Sequence, residues 1–223
     1  MYSPPTPALR QVRGLAHLAL VALALDCLVG LAAAVIDMQE IAIINRMIDA
    51  PDSVSDAEIE TSDAIYAASA IVVAAVFVVA AVMFLIWLFR VRANAEVLAP
   101  GEHRYGRPWV VFGWMVPIIS FWYPKQIVDD IWGASHRAGT GPSPRSGLVT
   151  VWWASLMIAS LVSNVAGRMF RADDLEGMAL AAKYDIVSIA LWLVAAAPAA
   201  LVISRITGAQ EARRLAPSVA PAY

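Results

Sequence analysis

Residues 65–89 read IYAASAIVVAAVFVVAAVMFLIWLF. This run contains no charged residue, no proline and no glycine. Because a helix needs about 20 apolar residues to cross a bilayer, the run predicts a membrane-spanning helix. Three other apolar runs, at residues 15–36, 148–165 and 186–203, predict three further spans.

The composition of the whole chain is that of a membrane protein. Of its 223 residues, 60% are hydrophobic and 15% are charged, whereas soluble domains are roughly half apolar and a quarter charged. Four or five crossings fill this length, so no separate soluble domain is expected. The formal net charge of −2 does not favour a nucleic-acid partner. The single cysteine, Cys27, lies in an apolar run, so no internal disulfide can form.

The segment 109–123 is apolar but only fifteen residues long, and Gly113 and Pro117 interrupt it. Its length favours a re-entrant or interfacial element over a crossing. If the segment does not cross, twelve of the sixteen Lys and Arg residues lie on the cytoplasmic side; if it crosses, only nine do. The positive-inside rule therefore favours four spans with both termini in the cytoplasm.

These patterns together predict an all-α, polytopic membrane protein of the bacterial plasma membrane. It has four transmembrane helices, a re-entrant or interfacial segment at 109–133, and an amphipathic helix that begins near Pro124 and lies on the cytoplasmic membrane surface. We expect a disordered cytoplasmic N-terminus at 1–14, one membrane domain at 15–204 and a cytoplasmic tail at 205–223. The first apolar run also imitates a secretory signal peptide, so its cleavage stays an alternative.

The loop between the first two spans, residues 37–63, is acidic, with eight carboxylates against the single basic residue Arg46. Isoleucines at helical spacing predict a short amphipathic helix before the turn at Pro51. Ser55 and Glu58 have the spacing of a capping box, which predicts the start of the second helix. Charge runs of this kind are usually solvated surface.

A distinctive series of aromatic, polar and proline residues follows the second span. Its members are Phe84, Trp87, Asn94, Gly113, Trp114, Pro117, Trp122, Pro124, Gln126, Asp130 and Trp132. This order of residue types resembles a largely actinobacterial family of integral membrane proteins, domain of unknown function 4328. The resemblance implies a membrane topology but no activity and no catalytic residues.

The aromatic residues of this region have two interpretations. One is an aromatic belt that anchors the segment at the level of the lipid headgroups. The other is a pocket for a lipid or another ligand, or a surface for a protein partner, where broken backbone lines a cavity. The motif residues are the candidates for this ligand or partner surface.

Asp26 is the polar candidate inside the membrane, because it stands at the centre of the first span. An acidic residue at that depth costs about 2.5 to 3.5 kcal/mol on insertion scales. The structural interpretation is a carboxyl group that is neutral or hydrogen-bonded, with Ser69 or Ser188 as partner. The functional interpretation is a site coupled to protons or cations.

Signatures of cofactors and catalysis are missing from the sequence. His17, His103 and His136 have neither the spacing of a zinc site nor a second membrane histidine for haem. No Walker loop, GxSxG elbow, HExxH or GxGxxG occurs. We therefore predict no catalytic residue, no metal site and no cofactor.

Three hypotheses of function follow. The first is a non-catalytic membrane protein that recruits or regulates a protein partner at its cytoplasmic face. The second is a small transporter or channel component centred on Asp26, as a homo-oligomer because four helices enclose little volume. The third is a membrane enzyme acting on a lipid or quinone, with the aromatic segment as its binding site.

Overall fold

The structure, a computed structural model, describes residues 8–137, 146–169 and 174–216. Within these ranges the protein is helical and contains no strand. Its α-helices are α1 (Arg13–Asp49), α2 (Asp56–Leu98), α3 (Trp109–Met115), α4 (Tyr123–His136), α5 (Gly147–Met169) and α6 (Leu175–Leu215), with 3-10 turns at Pro51–Ser53 and Ile119–Phe121. The prediction of an all-α chain is confirmed.

Four of these helices, α1, α2, α5 and α6, are long and apolar enough to cross a membrane. Each contains one of the four apolar runs that the sequence marks as spans. Large apolar side chains such as Ile71, Leu161 and Val194 are more than 60% exposed. This exposure on apolar helices is typical of surfaces that face lipid.

Local signals explain where the helices begin and end. The Ser55 hydroxyl accepts a hydrogen bond from the Glu58 N–H at 3.3 Å, as the predicted start of α2 requires. α2 ends before the Pro100–Gly101 pair, where Gly101 has a φ of +76° that suits glycine. The predicted separate amphipathic helix before Pro51 is wrong, because α1 continues unbroken to Asp49. No proline or glycine follows Gly30 within α1, so polar residues alone do not interrupt it.

The described contacts divide the chain into two compact units. Unit 1 consists of Met1–Leu20, Val82–Thr150 and Ala200–Tyr223, and unit 2 consists of Val21–Ala81 and Val151–Ala199. Small residues dominate the interior of unit 2, where helices pack closely in the manner of membrane proteins. Its buried positions include Ala33, Ala34, Ala159, Ala166, Ala181 and Ala182.

The segment 109–133 folds as a short helix, a 3-10 turn and a longer helix. α3 has seven residues, so at 1.5 Å per residue it reaches about 10 Å and does not cross a bilayer core of about 30 Å. After Pro117, Ile118 has a φ of +71°, a strained conformation for a β-branched residue. Pro124 lies in the first turn of α4, as predicted.

The apolar side of α4 contacts protein, not lipid. Ile127, Val128 and Ile131 are fully buried within unit 1, so the prediction that α4 lies on the membrane surface through this side is wrong. An amphipathic pattern shows that one face must be buried but does not specify what covers it. Here the cover includes Gly113 of α3, where an added Cβ would lie 3.7 Å from the Ile127 side chain.

Within the expected disordered N-terminus, the described residues 8–14 take part in the packing of unit 1. Residues 1–7 of the expected disordered segment lie outside the described residues. Val12 is buried, however, and the backbone at residues 10–13 makes hydrogen bonds with side chains of unit 1. At the other terminus, Thr207, Gln210 and Glu211 are buried, so this part of the expected tail belongs to the packed interior of unit 1.

Candidate functional site

Two motif residues of α2, Trp87 and Asn94, lie in the interior of unit 1. Trp87 has no exposed surface, and its indole Nε1 donates a hydrogen bond to Thr207 Oγ1 of α6 at 3.0 Å. Two turns later, Asn94 is 2% exposed. Because an indole N–H and a carboxamide need partners when buried, both residues link α2 to other elements of unit 1.

Asn94 is the centre of a buried hydrogen-bond network. Its Oδ1 accepts from the Arg10 N–H at 2.9 Å, and its Nδ2 donates to the Arg10 carbonyl at 2.7 Å and to Gln210 Oε1 at 3.1 Å. Gln210 Nε2 in turn donates to the Val91 carbonyl at 2.9 Å and to Ser135 Oγ at 3.0 Å. The network therefore joins α2, α4, α6 and the segment before α1.

A buried carboxylate holds the beginning of α1. Glu211 Oε1 accepts hydrogen bonds from the N–H groups of Val12 at 2.7 Å and Arg13 at 3.1 Å. Its second oxygen accepts from Arg214 Nε at 2.8 Å. Amide groups at a helix start lack partners within the helix and carry partial positive charge, so an anion is stabilised there.

The segment 109–133 packs closely at its smallest residue, Gly113. A Cβ at Gly113 would lie 3.3 Å from the Tyr123 Cβ, a tight contact, so glycine at this position favours the close approach of α3 and α4. The next residue of α3, Trp114, makes an edge-to-face contact with Phe84, at 5.8 Å between ring centroids. The motif residues Gly113, Trp114 and Phe84 therefore take part in the packing of unit 1.

The remaining polar motif residues fix the loop between α2 and α3. Tyr105 donates its hydroxyl hydrogen bond to Gln126, and its ring stacks on Tyr123 with centroids 3.9 Å apart. The Arg104 guanidinium forms a 3.0 Å ion pair with Asp130, whose carboxylate also accepts the Arg104 N–H at 3.0 Å. The loop is thus held against α4 by the side chains of Gln126 and Asp130.

One side of the segment is exposed and apolar. Phe112, Met115, Ile118 and Phe121 are more than half exposed, and Trp122 is 41% exposed. These residues suit the interfacial position that the sequence predicts, because aromatic rings are favourable at the level of lipid headgroups. The motif therefore separates into buried packing residues and an exposed apolar edge.

Next to this edge lies a polar cleft of about 490 Å³. All of its wall belongs to unit 1, and charged groups of both signs line it. Lys125 pairs with Asp129 at 2.7 Å, and Glu102 pairs with Arg137. The lining residues are Ala99, Glu102, His103, Arg104, Trp122, Lys125, Gln126, Asp129, Asp130, Ala134, Ser146 and Thr150.

The pKa values of two ionisable groups in the cleft, His103 and Glu102, are lower than usual. Burial, together with the positive charge of Arg92, lowers the pKa of His103 below its usual 6.5. Hydrogen bonding to Arg137 lowers the pKa of Glu102. At neutral pH the cleft therefore contains a neutral imidazole and an ionised Glu102.

The family model for Domain of unknown function (DUF4328) matches residues 50–208. The chain belongs to the DUF4328 family. The resemblance drawn from the motif residues is confirmed at the level of the family, and all eleven of them lie within the match. Neither a curated protein nor a solved structure matches this DUF4328 chain.

In this DUF4328 protein the intramembrane candidate lies outside the motif sequence. Asp26 belongs to unit 2 and is partly exposed. Neither predicted partner reaches it, since the Ser69 hydroxyl donates to the Tyr66 carbonyl and Ser188 pairs with Ser163. Among the residues that the structure describes, no hydrogen bond to the Asp26 carboxyl is formed.

Sequence reasoning misses several residues of the DUF4328 chain that the structure makes central. It assigns Gln210 and Glu211 to a polar tail, and Arg10 to a disordered start. The available signal is that α6 stays helical well past its apolar run, which allows polar side chains there to pack inside unit 1. No group of histidine, cysteine or acidic residues suited to a metal ion occurs in the described ranges.

Proposed function

We propose that this DUF4328 protein is a non-catalytic membrane protein that recruits or regulates a protein partner through the polar cleft of unit 1. The observation that supports the proposal is the cleft itself. Its walls are fixed by the hydrogen bonds and ion pairs of Tyr105, Arg104 and Lys125, so it exists before any partner arrives. Pre-formed surfaces lose little conformational entropy on binding.

The chemistry of the cleft favours a polar segment of a protein as its occupant. Small-molecule pockets are mostly apolar, whereas this cleft presents Lys125, Asp129 and Glu102 with Trp122 at its edge. Charged groups of both signs give an interface orientation and specificity. Tryptophan and arginine residues are the side chains that most often contribute strongly to such interfaces.

Substitutions in the cleft test the proposal against a matched control. Lys125→Ala and Asp129→Ala remove one ion pair of the cleft, and Arg46→Ala and Glu58→Ala remove an exposed ion pair of unit 2. Affinity purification in mild detergent should recover a stoichiometric protein with wild type and with the control variants, and lose it with the cleft variants. Equal recovery from both pairs would reject the cleft as the docking site.

We further propose that the cleft faces the cytoplasm, because the basic residues concentrate on that side of a four-span topology. Single cysteines in a Cys27→Ala background can report it. Gly106 and Ser53 are exposed, and a side chain at Gly106 has room, with Pro108 Cδ at 3.7 Å. On intact cells an impermeant maleimide should label Ser53→Cys but not Gly106→Cys; the reverse pattern would contradict the orientation.

A further inference from the structure

Unit 2 contains a buried carboxyl group that the sequence places among the acidic loop residues. Asp37, on α1, is 3% exposed. Its Oδ2 atom is enclosed and has no hydrogen-bond partner among the described residues. An enclosed polar atom of this kind is rare, because leaving it unsatisfied costs free energy.

The groups around Asp37 are acidic. Glu40 follows it by three residues on α1, and the charges of Glu40 and of Asp185 on α6 act on Asp37. Tyr66 of α2 experiences the charges of all three carboxylates. The Glu40 carboxylate accepts a hydrogen bond from the Ser62 hydroxyl. The charges of Glu40 and Asp185 thus oppose a negative charge on Asp37.

A proton is the occupant that fits this arrangement. Burial and neighbouring negative charges both favour the neutral form of a carboxyl group. Acidic groups inside membrane helices mark proton or ion sites by default. The described residues contain no group of three acidic, histidine or cysteine ligands placed to hold a metal ion. A bound proton would neutralise Asp37 without requiring such ligands.

We propose that Asp37 is a proton-binding site, because its carboxyl group is buried within unit 2 and its Oδ2 atom has no hydrogen-bond partner among the described residues. The site lies wholly in unit 2 and goes beyond the docking function of the unit 1 cleft. It takes up a proton from water and releases it to water as pH rises, with no other reactant. Asp37 is one of the few residues of the acidic stretch that is buried, which distinguishes it from the solvated carboxylates near it.

Infrared difference spectroscopy of the full chain in lipid nanodiscs tests this directly. At mildly acidic pH the wild type should show the carbonyl band of a protonated carboxyl group that Asp37→Asn lacks. The exposed carboxylate Asp63 supplies the matched control, because Asp63→Asn should leave the band unchanged. A band of equal intensity in wild type and Asp37→Asn would overturn the proposal.

A second variant keeps the test decisive if Asp37→Asn does not fold. Asp185→Asn removes a neighbouring charge, so the pH at which the band disappears should move lower; an unmoved midpoint would count against the proposal. Spectra recorded in sodium chloride and in choline chloride distinguish a bound proton from a bound metal cation. If sodium alone abolishes the band at constant pH, the site binds a metal cation and the proton assignment is wrong.

Discussion

Replacing Asn94 with alanine should weaken unit 1 more than any exposed polar substitution. Asn94→Ala removes the two hydrogen bonds to the Arg10 backbone and the bond to Gln210. The Gln210 oxygen is then left buried, at a cost of about 1 to 3 kcal/mol, and each partly buried Arg10 bond contributes about 0.5 to 1.5 kcal/mol. We expect the free energy of unfolding to fall by about 2 to 6 kcal/mol.

Reversible unfolding in mild detergent, followed by tryptophan fluorescence, measures this loss. Asn164 supplies the control, because it is exposed and its amide donates only to the Ser160 carbonyl at 2.8 Å. Asn164→Ala should change stability by no more than about 0.5 kcal/mol. The double variant with Gln210→Ala should show a coupling of about 0.5 kcal/mol or more. If Asn94→Ala resembles Asn164→Ala, the network does not stabilise the protein.

Three further predictions concern the same unit, each measured by unfolding in detergent. Trp87→Phe should lower the free energy of unfolding by about 1 to 3 kcal/mol, because the buried Thr207 hydroxyl loses the hydrogen bond that the indole donates to it. An unchanged stability would contradict that bond. Gly113→Ala should destabilise by about 1 to 3 kcal/mol through overpacking against Tyr123, whereas Gly167→Ala, with open space around it, should be neutral or stabilising. Because the folded pKa of His103 is lowered, stability should decline as pH falls through the unfolded value near 6.5, and His103→Gln should lack that decline. An unchanged pH profile in His103→Gln would reject the burial of this imidazole.

The spans could be predicted because bilayer thickness imposes a length that local composition reveals. The uninterrupted run at 65–89 and the breakers at Pro100 and Gly101 are sufficient to define most of α2. The end of α1 was predicted wrongly, as a separate amphipathic helix, and this also has a physical reason. A polar stretch at the end of a span can stay helical when no residue breaks it, so hydropathy alone cannot show where that helix ends.

The candidate site was predictable only as a list of residue types. The order of aromatic, glycine, proline and amide residues identified the motif, but not which members face inward. Trp87 and Asn94 are buried, whereas Trp122 is partly exposed. The local sequences of the two tryptophans do not distinguish these outcomes, since each lies in an apolar or aromatic context. Burial depends on what approaches from elsewhere in the chain.

The sequence by itself determined the four apolar helices and the motif that marks the family, because both are local patterns along the chain. Only the tertiary structure decided that Asn94 meets Gln210 and that Glu211 holds the start of α1. It also decided that the charge of Asp185 acts on Asp37. The members of each of these pairs lie far apart along the chain, and hydrogen bonds and charge interactions act over a few ångströms. Such contacts follow from how the helices pack, which no local pattern specifies.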